Sequence, residues 1–227
     1  LVTELLGPHP SVSHLPSYIS ERAAGNPFFA EELVRDLAER GLLDGGRGDY
    51  VLRGDVAEVS VPATLQATIS ARIDRLAPTA KRTLNAAAVI GSRFGSELLK
   101  DLGINPVFDE LIAAELVDQV KFTGGSEFAF RHPLVRTVAY ESQLKSARAQ
   151  IHRRLAGIIE RGKPDAAEEN GALIAEHLEA AGDLRDAFGW HMRTGAWLIF
   201  RDIHAARSSW QRARDVAERL DADDPRR

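Results

Sequence analysis

Two short stretches hold the residues best suited to chemistry. Gly25-Asn26-Pro27-Phe28-Phe29 runs into the amphipathic stretch 30–43, and Phe130-Arg131-His132-Pro133-Leu134 lies far downstream. A glycine permits close backbone approach and a proline presents a rigid apolar face without an N–H to satisfy, so Gly25, Asn26 and Pro27 suit contact with a flat ligand. The same triplet is equally what a corner between two helices requires. Downstream, period-two alternation puts Phe128, Phe130 and His132 on one face, with the histidine where strand gives way to helix. Its imidazole is either satisfied near the core edge or turned toward a cleft. Arg131 or Arg136 could hold a phosphate through paired hydrogen bonds, or serve as surface or structural residues.

Other chemistry is missing from the sequence. It contains no Gly-x-x-x-x-Gly-Lys-Ser/Thr phosphate loop, and the glycine-rich run Gly45-Gly46-Arg47-Gly48 has no lysine or hydroxyl where phosphate and metal would need them. Histidines stand at 9, 14, 132, 152, 177, 191 and 204, without metal-ligand spacing, and there is no cysteine for a disulfide, a zinc site or a nucleophile. Glu31-Glu32 follows the helix start, where the dipole favours carboxylates, so it reads as a helix-start feature rather than a catalytic pair. The basic stretch 145–154 carries Ile151, Leu155 and Ile158 at helical spacing, an amphipathic face that could meet a partner. No nucleophile, oxyanion site or acid/base pair is visible, so catalysis by this chain is not expected.

The elements that must position these residues are mostly helical. The chain has 227 residues, 44% of them apolar, and a net charge of −4, which allows more than one module and gives no overall attraction to nucleic acid or anionic membrane. No signal region or membrane-length apolar run is present, so a soluble, cytoplasmic chain is expected. Helices are expected over 15–24, over 27–43 with Asn26 as cap and Phe29, Leu33 and Leu37 on one face, and from Ser60-Val61-Pro62 to Leu76. Gly41 and 45–48 should end the second, with Tyr50-Val51-Leu52 as a short strand. Helices over 80–90, 96–102 and roughly 105–117 then precede strands 119–123 and 127–131, joined by Thr123-Gly124-Gly125-Ser126. Three helices and a β-hairpin are the order of a winged helix. Helices over 133–144 and 146–161 follow, and Gly162-Lys163-Pro164-Asp165 reads as a linker.

Beyond it, Trp190, Trp197, Ala206, Trp210 and Ala213 are spaced by seven, nine, four and three residues, like the aromatic and alanine positions of a tetratricopeptide repeat. The match is partial, since Arg193-Thr194 stands where a Leu-Gly pair is expected. The resulting fold class is mainly α: lid helices over 1–78, a winged helix with trailing helices over 79–162, and TPR-like α-solenoid helices over 163–227. Direct DNA binding is disfavoured, because the third helix of the winged unit carries Asp109, Glu110 and Glu115 without Lys or Arg, and the wing offers Lys121 alone.

Four stretches carry a family resemblance: 23–33, containing Gly25-Asn26-Pro27-Phe28-Phe29; 61–76, ending Ala71-Arg72-Ile73-Asp74-Arg75-Leu76; 85–91; and 128–142, containing Phe130-Arg131-His132-Pro133-Leu134. With them the chain resembles the lid, winged-helix and early superhelical region of the signal-transduction ATPases with numerous domains, related to the AAA+ class. Within that class it is most similar to the actinobacterial multidomain adenylate cyclases bearing an ATPase module, with the large LuxR-type regulators next. The resemblance implies that Gly25, Asn26 and Pro27 lie against adenine and that His132, with Arg131, approaches the diphosphate. It implies ATP or ADP with Mg held by an ATPase core of the same parent chain, no cofactor for this chain alone, and a protein or small-molecule signal on the solenoid. In the best-known form of the histidine motif Met and Asp flank the histidine, whereas Arg131 and Pro133 do so here. A LuxR-type transcriptional regulator and a nucleotide-independent helical scaffold are the alternatives.

Overall fold

The computed structural model describes residues 1–53, 64–121, 126–162 and 164–220. It is mainly α-helical with two small antiparallel sheets, and the chain divides into two compact units, Leu1–Leu76 and Ala77–Arg227.

In the first unit, α1 (Val2–Leu6), a 3-10 turn (Pro10–Val12) and α2 (Leu15–Ala23) lead to α3 (Pro27–Glu39). The expected face of α3 is the buried one: Phe29, Leu33 and Leu37 pack with Leu6, Leu15 and Ile19 in the core. α3 ends at Glu39, short of the expected 43, and the start of the glycine run expected to end it belongs to strand β1 (Leu43–Gly46), paired with β2 (Asp49–Leu52) from Leu43↔Leu52 to Gly46↔Asp49. Arg47-Gly48 is a two-residue hairpin connection of the kind that glycine permits. This hairpin is tied to α1: the Gly48 N–H donates to the Leu5 carbonyl at 2.7 Å, and a Cβ on Gly7 would overlap the Gly48 carbonyl. Helix α4 (Leu65–Arg75) is capped by Thr64, whose Oγ1 accepts from the Ala67 N–H at 3.2 Å. The expected cap region Ser60-Val61-Pro62 lies outside the described residues.

The second unit begins with α5 (Pro78–Ile90), which starts two residues ahead of the expected 80 with Pro78 in its first turn. Then come β3 (Arg93–Gly95), α6 (Ser96–Asp101), α7 (Asp109–Ala113), β4 (Val117–Lys121) and β5 (Glu127–Phe130). The sheet order is β3-β5-β4, all antiparallel, with Phe94↔Phe128 and Val117↔Phe130 as partners. Strand β3 was not expected. The turn signal Thr123-Gly124-Gly125 lies outside the described residues. Helix α7 is five residues, far shorter than 105–117, because Pro106 holds Asn105 out of the helical region and the Thr83 hydroxyl accepts the Val107 N–H at 3.1 Å. Phe94, Phe108, Phe128 and Phe130 stack as one aromatic cluster, with Phe108 and Phe128 rings 3.7 Å apart.

Six helices complete the unit: α8 (Pro133–Glu141), α9 (Lys145–Glu160), α10 (Pro164–Glu169), α11 (Gly171–Ala181), α12 (Leu184–Leu198) and α13 (Ile203–Glu218). α9 packs on α11, α11 on α12, and α12 on α13, a side-by-side order suggestive of a helical repeat. Trp190, Ala206 and Ala213 are buried here. The small residue at the α12–α13 crossing is Gly195, one position beyond the site where the repeat pattern expects glycine: a Cβ there would overlap the Trp210 indole.

Candidate functional site

Asn26 is built into the start of α3. Its N–H donates to the Ala23 carbonyl at 2.8 Å, and its Oδ1 accepts from Phe28 N at 3.1 Å and Phe29 N at 3.2 Å, with Pro27 at the first helical position where a missing N–H is harmless. Gly25, at φ +81°, makes the turn out of α2. The triplet lines an open cavity of about 360 Å³ together with Leu1, Val2, Thr3, Pro16, Ser20, Ala23 and Ala30. Its lining side chains are apolar, hydroxyl or amide, and none titrates. Such a wall can hold a flat, weakly polar group.

The second stretch repeats the local design. His132 is extended (φ −142°) and caps α8, with Nδ1 accepting from Leu134 N at 3.1 Å and Pro133 in the first turn. Nδ1 is thereby the unprotonated nitrogen and Nε2 carries the hydrogen. The ring is half-buried at the end of β5. Arg131 is exposed and forms an ion pair with Glu115, while its N–H donates to the Leu116 carbonyl at 3.1 Å. Arg136 donates Nε–H to the Ala88 carbonyl at 3.0 Å, so it secures α8 on α5. The structure therefore brings Gly25, Asn26 and Pro27 together in the first unit, and Arg131 and His132 together in the second.

The acidic side chains on and just after the short helix also have local duties. Glu110 Oε1 accepts the Ala77 N–H at 2.7 Å, and Glu115 holds Arg131.

Three buried polar groups escaped the sequence reading. Glu32 is not a helix-start carboxylate in solvent but sits 2% exposed, with Oε1 accepting from Arg72 Nη1 on α4 at 3.0 Å. Acids at 32, 36 and 39 on one helix facing bases at 72 and 75 on another were a readable signal, had the two helices been paired in advance. His152 Nε2 lies 3.0 Å from the Tyr140 hydroxyl and its Nδ1 2.9 Å from His177 Nδ1. Glu179, 7% exposed, accepts from His191 Nε2 and Arg212 Nε, both at 2.9 Å, and from Arg219 Nη1 at 2.9 Å, joining α11, α12 and α13. Burial raises the Glu179 carboxyl, but these donors outweigh it together and hold the group below the ordinary range. Among the described residues, no group of three or more His, Asp or Glu could hold a metal ion, and no helix is long and apolar enough to cross a membrane.

Residues 1–44 match a family model described as a domain of unknown function, DUF8739. The chain is also similar to the uncharacterized protein R02095 of Rhizobium meliloti (strain 1021), 26% identical over 176 residues. That alignment covers 74% of this chain and 16% of the relative, so the chain spans a small part of that protein's length. No solved structure matches the chain significantly.

Proposed function

We propose that the chain is the regulatory lid, winged-helix and early solenoid region of a multidomain ATP-binding signalling protein, with a parent of the adenylate cyclase type. The observation that carries this reading is the Gly25-Asn26-Pro27 corner, whose rigid apolar face lines a cavity free of titratable side chains. It suits a purine held against the start of a helix while phosphates and Mg stay on an ATPase core of the same parent chain. Support comes from the order α5, β3, α6, α7, β4, β5 with sheet order β3-β5-β4, which we read as a winged helix. The α11 to α13 array, read as TPR-like, is the surface for a protein or small-molecule signal. Similarity to a small part of a far longer protein agrees with a multidomain parent.

In this mechanism the lid favours the nucleotide-bound core because ATP or ADP is contacted in the closed state and not in the open one, with Pro27, His132 and Arg131 as the residues to test. A signal on the solenoid releases the closure. The chain itself hydrolyses nothing and forms no cyclic nucleotide. Equilibrium binding of ADP and ATP to the full-length parent tests the reading: Pro27→Ala and His132→Ala should each weaken affinity, and unchanged affinity in both would overturn it. Turnover of ATP by the purified chain, abolished by a substitution within residues 1–227, would also overturn it. DNA recognition by the winged unit is disfavoured by the acids Asp109 and Glu110 on its short helix and by Glu115 just after it.

A further inference from the structure

Helix α4 meets α3 through charge where an apolar seam would be the ordinary solution. Glu32, Asp36 and Glu39 lie at i, i+4 and i+7 along α3, and Arg72 and Arg75 at i and i+3 along α4. Arg72 Nη1 contacts both Glu32 oxygens, at 3.0 and 2.9 Å; Arg75 Nη2 reaches Asp36 Oδ1 at 2.8 Å and its Nη1 reaches Glu39 Oε2 at 2.5 Å. Arg35 on α3 and Arg40 just past its end add contacts to Glu32 and Asp36. Glu32, Asp36 and Arg72 are at most 4% exposed, whereas Arg75 is 40% exposed at the rim. The apolar share of α4, Leu65, Ile69 and Ile73, flanks the network.

Ion pairs this deep gain less than well-packed methylenes of similar volume, because two charges must be stripped of water. The strain is visible in the pair itself. Burial pushes the Glu32 carboxyl up and the Arg72 guanidinium down, against the pull of each on the other. Glu32 Oε2 and Arg72 Nε also lack a hydrogen bond of acceptable geometry. Such a seam fixes register sharply, since a one-turn slip would bring unlike partners out of line, yet separates readily because water re-solvates every group. α4 is also the last element of the first unit and leads directly into α5.

We propose that the α3–α4 seam is an ionic latch, a two-position contact that closes in one register and opens by hydration of the Glu32–Arg72 and Asp36–Arg75 pairs, releasing α4 from α3. The inference does not depend on nucleotide binding.

Amide hydrogen exchange of α4 in the 227-residue chain tests it, with α2 as internal reference. Glu32→Met with Arg72→Met should slow α4 exchange by about tenfold. Arg72→Met alone, which strands the buried carboxylate, should speed it by about a hundredfold. In the unaltered chain, raising NaCl from low concentration to 1 M should accelerate α4 relative to α2 by screening the Arg75 rim. Two results overturn the latch: α4 exchange unmoved by salt, or equal or faster exchange in a folded double-methionine variant. If that variant does not fold, the salt titration and Arg75→Met, expected to accelerate α4 alone, decide the question.

Discussion

His152 and His177 share a hydrogen bond between their Nδ1 atoms, 2.9 Å apart, across the contact of α9 with α11. One imidazole must present a hydrogen and the other a lone pair, so both rings cannot be protonated at once while the bond holds. Burial, then the charge of His177, Arg148 and Arg136, lowers His152 from 6.5 to about 4, and burial also lowers His177. The remaining polar neighbour is the Tyr140 hydroxyl on α8.

The pH dependence follows from that depression. Between pH 6.5 and 4 the unfolded chain binds a proton at His152 that the folded chain refuses, so stability is full above pH 6.5 and falls as pH drops toward 4. The loss assignable to His152 is on the order of 3 kcal/mol. Urea midpoints measured from pH 7.5 to 4.5 should fall more steeply in the parent sequence than in His152→Gln, and parallel curves would remove the histidine pair as the cause.

Gly195 gives a second expectation. Any Cβ at this position meets the Trp210 indole, so Gly195→Ala should destabilise the helical array by about 1–3 kcal/mol through overpacking. Trp210→Leu in the same chain should recover part of that loss. Thermal melts of the two variants and their combination give the coupling directly.

At Asn26 the capping role can be tested directly. Asn26→Ala removes the acceptor for two backbone N–H groups and should raise α3 exchange rates, at a stability loss of about 1 kcal/mol. Asn26→Asp keeps the acceptor and adds a charge that the helix start favours, so α3 should stay protected. Equal loss in both variants would mean that Oδ1 is not the capping atom.

Arg131 faces Glu115 at the surface, with side chains 42% and 39% exposed. Arg131→Ala should therefore change stability by less than about 1 kcal/mol. In the full-length parent the same substitution should weaken ADP binding about tenfold, the scale of one charged hydrogen bond. Unchanged ADP affinity would confine Arg131 to its role as an ion-pair partner.

Much of the local architecture could be read from residue order. The 3.6-residue spacing of Phe29, Leu33 and Leu37 gave the buried face of α3, and Asn26-Pro27 gave its start, because both depend on neighbours close in sequence. What stayed hidden depends on distant partners or very short pairing. β3 is three residues long and exists because β5 lies beside it. The extent of α7 is limited by a proline and by a threonine hydroxyl from α5. The role of Glu32 is set by an arginine forty positions away. Likewise the aromatic and alanine spacing of the last two helices was visible, but which glycine admits the Trp210 ring emerged only from their crossing.

The first unit also contains a seam made of backbone alone. With the Gly48 carbonyl occupying the space of a Cβ at Gly7, a single added methyl would evict the hairpin from the end of α1 and break its bond to Leu5. A homologue that keeps this hairpin is expected to keep glycine at position 7, beside the buried Leu5 and Leu6.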